Sequence, residues 1–328
     1  MKFVRKTLLL TQNDIKKLIS MEDAIRIIER SFAAYANNEV VMPPKIYLEL
    51  KKFNGDFRAM PAWIKSFNSC GIKWVCSYPK NIDFCLPTVM AIILLNNPKN
   101  AYPVAILEGT YLTNVRTGAA GAVAAKYLAK KDSEILSLIG CGVQAKFQLL
   151  ALKEVFRIKV VKLYDIDFSK MKKFINEVNI PNVKFVITKN IKECVKEADI
   201  ICTCTPSRKP LIKHSWINGR VHINAIGADA PGKCELDPLI LKSAKIIVDD
   251  YAQAIHGGEI NVAIKKGIII EKDIYATLGE IVTKKKKVGF EGITVFDSTG
   301  LALQDIAIAS YVYKKAVKKK IGLWINLF

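Results

Sequence analysis

Residues 134–145 read E-I-L-S-L-I-G-C-G-V-Q-A, an apolar run that stops at Gly140 and resumes after Gly142 with helical spacing. The spacing is G-x-G-x-x-A, the dinucleotide-binding pattern with Ala145 in the third position. Gly140 permits the tight turn, Gly142 lets the backbone approach a pyrophosphate, and Ala145 lets helix and strand pack closely. The helix start at Val143 and Gln144 offers N–H groups to an anion. Alone the loop is a weak signal, because a glycine turn in a sheet that binds nothing has the same form. Here the next apolar run, K-V-V-K-L-Y-D, ends in Asp165, about 25 positions after Gly140, where an acid holding the adenosine ribose hydroxyls is expected. Asp165 and Ile166 therefore mark the ribose side. Thr205, after D-I-I-C-T-C, and Ile226 with Gly227, after V-H-I-N-A, fall at the carboxyl ends of strands, where such ligands bind.

Outward from this loop, short apolar runs alternate with helical segments as far as I-T-V-F-D-S (293–298). Alternation at this interval predicts a doubly wound α/β domain with a parallel sheet and right-handed crossovers. On its N-terminal side, residues 113–129 read as a small-residue helix opened by a Thr or Asn cap and leading into that domain. Residues 45–107 show short apolar runs separated by Asn54-Gly55, Asn97-Pro98 and Tyr102-Pro103, which predicts a β-rich, mostly antiparallel region. Thr11 with Asp14 and Ser20 with Asp23 are N-caps followed three residues later by a carboxylate, so the first forty residues predict a helical opening. The closing stretch D-I-A-I-A-S-Y-V-Y-K-K-A-V-K-K-K-I is helical and returns to the first region.

A length of 328 residues suits two domains, and 51% hydrophobic with 24% charged residues excludes both a disordered chain and a disulfide miniprotein. The net charge of +20 invites a nucleic-acid or membrane-surface reading, but only 8 of the 50 cationic residues are Arg, the residue of bidentate phosphate and base recognition. The dense Lys runs at 284–287 and 314–320 read as solvated faces, so no nucleic-acid and no membrane partner is expected. A Lys- and Ile-rich compositional bias of the thermophile kind accounts for the charge. The start, M-K-F-V-R-K-T-L-L-L, is too short in its apolar part for a signal peptide, and no run approaches the roughly 20 residues of a membrane span, which places the chain in the cytoplasm. Eight Cys without a C-x-x-C, most of them in apolar runs, and three scattered His predict mostly buried thiols in a reducing compartment and no metal site.

Outside the nucleotide segment, three basic residues stand in distinctive contexts: Lys45 in M-P-P-K, Arg58 in R-A-M-P-A and Lys73 in G-I-K-W. With L-P-T (86–88), N-V-R-T-G-A-A (114–120), G-C-G-V-Q-A, G-A-D-A-P-G-K-x-E-L (227–236), H-G-G-E-I (256–260) and D-S-T-G-L-A-x-Q-D (297–305), the chain resembles the ornithine cyclodeaminase and mu-crystallin family over nearly its whole length. Within that family it is most similar to the archaeal alanine dehydrogenases. The resemblance implies a homodimer, a substrate-binding and dimerisation domain from residues 1–115 with 305–328, and a Rossmann domain from 116–304. It implies NAD as cofactor and catalysis between the domains, with Lys73 as proton donor and acceptor and Asp229 as the second catalytic group. Lys45 and Arg58 are implied at the substrate, Arg116 at the cofactor phosphates, and Val143, Gln144, Asp165 and Ser298 at the dinucleotide. His256 and Glu259 receive no role.

The residue types suit oxidation of an amino acid at Cα, which needs a carboxylate clamp, a base and a hydride acceptor; a buried Lys near other cations has a lowered pKa and can be that base. The leading expectation is reversible, NAD-dependent oxidative deamination of L-alanine to pyruvate and ammonia, so the partner is a small amino acid or 2-oxo acid. Ornithine cyclodeamination to proline remains open, as does a mu-crystallin-type binding protein or imine reductase. Arg58 stands where the family's cyclodeaminases carry a Glu, and two cations there are expected to repel the distal ammonium of ornithine.

Overall fold

A computed structural model describes residues 6–289 and 291–327; Met1–Arg5 of the start discussed above lies outside the described residues. The chain divides into two compact units, one taking the chain up to Arg116 together with everything from Leu301 onward, the other Thr117–Gly300.

In the first unit the strands are β1 (Thr7–Leu10), β2 (Val40–Val41), β3 (Ile46–Leu50), β4 (Gly55–Ile64), β5 (Ser69–Ser77), β6 (Val89–Asn96) and β7 (Pro103–Glu108), with Leu323–Ile325 added near the other end of the chain. The sheet runs from Leu323–Ile325 through β1, β7, β6, β5 and β4 to β2, with β3 also paired to β4. Every pairing is antiparallel except β1 with β7. The helical opening is thus preceded by a strand: T-L-L-L, read from sequence only as a short apolar tail, hydrogen-bonds to β7 and shields an edge. Thr11 and Ser20 do cap helices, Gln12–Lys16 and Met21–Ala36, each side chain accepting from the N–H three residues on. Helix Met21–Ala36 buries Ala24, Ile25, Ile27, Ile28 and Phe32 at helical spacing. Helix Ala302–Lys319 lies against it and against β4, β5 and β6.

Helix Thr110–Leu128 begins earlier than its sequence suggests. Thr113 and Asn114 lie inside it, and the Glu108 carboxylate accepts from the N–H groups of Thr110 (2.6 Å) and Tyr111 (3.0 Å) instead. A Glu beyond the usual capping residues carries the job, which is why the cap signal misplaced the start.

The second unit contains β8 (Ile135–Ile139), β9 (Val160–Tyr164), β10 (Lys184–Ile187), β11 (Ile200–Thr203), β12 (Arg208–Ile212), β13 (Val221–Ala225), β14 (Cys234–Leu236), β15 (Lys245–Val248), β16 (Ile274–Thr277) and β17 (Ile293–Asp297). Its main sheet has the order β10-β9-β8-β11-β13-β17-β15-β16 and is parallel throughout. This is the doubly wound, Rossmann-like order, with the topological switch at β8 and β11. Successive residues feed opposite cores: Leu136, Leu138, Ile200 and Cys202 belong to one, Ile139 and Ile201 to the other. Sheets covered on both faces need such near-continuous apolar strands. A separate parallel pair, β12 with β14, was not foreseen in the sequence. Among the described residues no helix is long and apolar enough to cross a membrane.

Candidate active site

In the first unit Arg58 and Lys73 lie on one face of the sheet. Met60 opposes Lys73, and Val75 and Tyr47 oppose Arg58, so Arg58 lies diagonal to Lys73 on the same face. Lys73 is 1% exposed, and its Nζ lies 2.6 Å from Oδ2 of Asp305, itself fully buried. Oδ1 of Asp305 accepts from Arg116 Nε at 3.1 Å. Arg116 Nη1 donates in turn to Gln304 Oε1 at 3.0 Å, and that oxygen also accepts from the N–H of Leu301. Gln304 and Asp305 sit in the first turn of helix Ala302–Lys319, so the fold of that turn sets where both cations point.

Burial pulls the Lys73 amine down; Asp305 pushes it back up, and the neighbouring charges of Arg116 and Lys45 lower it again, leaving it at about 7. Such an amine gives and takes a proton with equal ease near neutral pH. Lys45 is half-buried.

Arg58 is not the uncompensated cation that the sequence suggests. Its Nε donates to Asp56 Oδ1 at 2.7 Å and its Nη2 to Asp56 Oδ2 at 3.3 Å, and the guanidinium lies 5.3 Å from the Tyr47 ring centre. Asp56 offsets that charge, so the repulsion of a second ammonium by two bare cations is weaker than expected. The pair was legible: residues two apart on a strand share a face.

In the second unit Gly140 has φ +88°, a conformation that favours glycine, and a Cβ there would come within 2.9 Å of Cys204 O. Gly142 caps helix Val143–Val155, and a Cβ added to it would meet nothing within 4 Å, so the space beside its backbone is open. Ala145 is buried on the inner side of that helix, Gln144 is half-buried, and Val143 and Ile166 are exposed. The Asp165 carboxylate holds the turn, accepting from Cys141 N–H at 2.8 Å and from Asp167 N–H at 3.0 Å. Ser298 is buried, and among the described residues its hydroxyl has no hydrogen-bond partner. Open space at a helix N-terminus, a carboxylate against the turn and an unsatisfied buried hydroxyl on one unit fit the phosphate and hydroxyl groups of a dinucleotide.

Thr205 and Gly227 are drawn together by Glu235, whose carboxylate accepts from both backbone N–H groups. Ile226 is buried and donates its N–H to Thr203. Asp229 pairs with Lys233 at 2.6 Å. It belongs to the second unit, whereas Lys73, Lys45, Arg58 and Arg116 belong to the first. Glu259 is buried and accepts from the N–H groups of Glu235 and Leu236, a structural use that accounts for it, while His256 is exposed. Sequence inspection assigned nothing to Asp305, Gln304 or Asp56. Asp305 lies 232 positions from Lys73, and no spacing rule reaches that far.

A family model described as ornithine cyclodeaminase/mu-crystallin family matches residues 5–320. An alanine dehydrogenase from Archaeoglobus fulgidus is 49% identical over 325 residues, covering 98% of this chain and 99% of that one. The solved structure of an archaeal alanine dehydrogenase dimer with bound NAD superposes with a TM-score of 0.94 at 49% identity, covering 98% of this chain and 100% of the other. A Thermococcus litoralis Δ1-pyrroline-2-carboxylate reductase, in complex with NADH and L-proline, has the same TM-score at 38% identity and covers 97% of this chain and 99% of its own. Matched end to end by sequence and by fold, the chain belongs to the ornithine cyclodeaminase/mu-crystallin family.

Proposed function

We propose that this chain is an NAD-dependent amino-acid oxidoreductase that converts L-alanine, water and NAD to pyruvate, ammonia and NADH, reversibly. The observation that carries the reading is the buried Lys73 amine held near neutrality against Asp305 and Arg116. A buried, perturbed amine is a proton-transfer group. NAD bound at the Gly140–Gly142 loop supplies the ring that takes a hydride from the substrate carbon or returns it. Gly140, Gly142, Val143, Gln144, Asp165, Ile166, Thr205, Ile226, Gly227 and Ser298 are the residues we assign to it, with Arg116 at its phosphates. Arg58 and Lys45 are assigned to the substrate carboxylate, since a planar guanidinium grips both oxygens. Lys73 takes the proton released as the amine becomes an imine, and Asp229 handles the proton of the attacking water. The two chains of a homodimer meet, on this reading, across the outer face of the first unit's sheet. All eight cysteines are free thiols, which suits the reducing cytoplasm where we place the reaction.

A second reading, reduction of a cyclic imine such as Δ1-pyrroline-2-carboxylate, is favoured by the 38% identity to the reductase solved with L-proline. Because Asp56 tempers Arg58, ornithine stays among the substrates to test. One panel separates the three: net NADH from alanine, NADH consumption with Δ1-pyrroline-2-carboxylate, or proline from ornithine without net NADH. Alanine as the substrate with the highest kcat/KM is the expected result; a preference for either of the others overturns the alanine assignment.

A further inference from the structure

Glu235, at the centre of β14, is fully buried. Its Oε1 accepts from the backbone N–H of Thr205 at 2.7 Å and from the Thr205 hydroxyl at 2.7 Å. Its Oε2 accepts from the N–H of Gly227 at 3.0 Å. Thr205 stands two residues beyond β11 and Gly227 two beyond β13, neighbouring strands in which Thr203 pairs with Ala225. One carboxylate therefore bridges the carboxyl ends of two adjacent strands. The bridge is close-packed: a Cβ on Gly227 would fall 2.1 Å from Thr205 O and 2.6 Å from Glu235 Oε2. Glu235 is itself held, its N–H donating to the buried Glu259 carboxylate at 2.8 Å.

The chemistry of the bridge calls for an acid. All three partners donate and none accepts, so two acceptor oxygens are needed, whereas an amide would turn an NH₂ toward one of the donors. A buried carboxylate is expensive, and burial raises the pKa of Glu235. That expense is met at the sheet edge where a doubly wound domain binds its ligand. Asp165, which follows β9, lies on one side of β8, and the Glu235 bridge lies on the other, at β11 and β13. A dinucleotide laid across the switch point with its adenosine at Asp165 brings its other half to Thr205 and Gly227.

We propose that Glu235 is a positioning residue for the nicotinamide half of the dinucleotide, acting through Thr205 and Gly227. This rests on the cofactor reading above. The test is a titration of NADH and, separately, of AMP, which carries the adenosine half alone, against the wild-type protein and the variants Glu235→Gln, Thr205→Val and Thr205→Ser. Glu235→Gln should weaken NADH by about tenfold or more, the effect of spoiling a buried charged hydrogen bond, while AMP affinity stays within about twofold. Thr205→Val, which removes the hydroxyl that donates to Glu235 and accepts from the Ser207 N–H, should shift the same ratio in the same direction, and Thr205→Ser should restore it. The valine variant also keeps the test decisive should Glu235→Gln not fold. Equal losses for NADH and AMP, or no change in their ratio in either variant, would overturn the positioning role. A wild-type protein that binds AMP but not NADH, or neither, overturns the cofactor reading itself and the positioning role with it, and is recognised without any variant.

Discussion

Lys73 and Asp305 form an ion pair, 2.6 Å from Nζ to Oδ2, in which neither side chain is more than 1% exposed. Desolvation and Asp305 act in opposite directions on the amine, and Arg116, bound to the other oxygen of the same carboxylate, tilts the balance toward neutrality. Replacing Lys73 by Met should therefore lower turnover by about 10² or more, the usual contribution of a general acid–base group. NADH binding should persist, because the dinucleotide is assigned to residues of the other unit. Steady-state kinetics with a parallel NADH titration checks both; turnover surviving within about tenfold would contradict the assignment.

Arg58→Glu would place a second carboxylate two residues from Asp56 on the same strand face. The clamp then becomes an anion repellent, and kcat/KM for alanine should fall by at least about 10². In the wild type, pyruvate formation from alanine should exceed proline formation from ornithine. A faster ornithine reaction would show that Asp56 has neutralised the cation enough to admit a second ammonium.

Asp165 should make NADH bind more tightly than NADPH, by about tenfold, because a carboxylate repels a 2′-phosphate and accepts from a free hydroxyl. Lys162 is directed elsewhere, its ammonium donating to the carbonyl of Lys196. Asp165→Ser should narrow the preference and weaken both cofactors, since the same carboxylate also holds the N–H of Cys141. Equal affinity for both cofactors in the wild type would sink the idea.

Ile46, Ala59, Trp74 and Ile92 form a row across β3, β4, β5 and β6 on the face opposite Lys73. Ile46, Leu48, Trp63, Trp74 and Ile92 on that face are each more than a third exposed, and Phe57 stacks on Trp74 at 5.2 Å. On the proposed reading this apolar surface is where the two chains of the homodimer meet. Light scattering after size exclusion should give the mass of two chains for the wild type and one for Trp74→Glu/Ile92→Glu. A monomeric wild type would rule the dimer out.

The parallel sheet was legible because most of its strands, such as I-L-S-L-I and I-I-C-T, are short, mainly apolar runs set among helical segments. The glycine loop was legible for the same local reason. What escaped are features set by tertiary contact. β1 is a strand because β7 offers it an edge. The partners of Lys73 come from a helix more than two hundred residues away. Asp56 and Glu108, each two residues from its partner, lay within reach of a local rule and were missed.

Whether the buried Lys73 amine carries the proton in catalysis is read from the pH dependence of kcat/KM for alanine oxidation in the wild type and in Asp305→Asn. Oxidation needs the neutral amine, so the wild-type rate should rise with pH through about 7. Removing the carboxylate withdraws the charge that favours the ammonium and leaves Arg116 and Lys45 to disfavour it, so the rising limb should move to lower pH by about one unit or more. A limb that stays in place in Asp305→Asn would contradict the account.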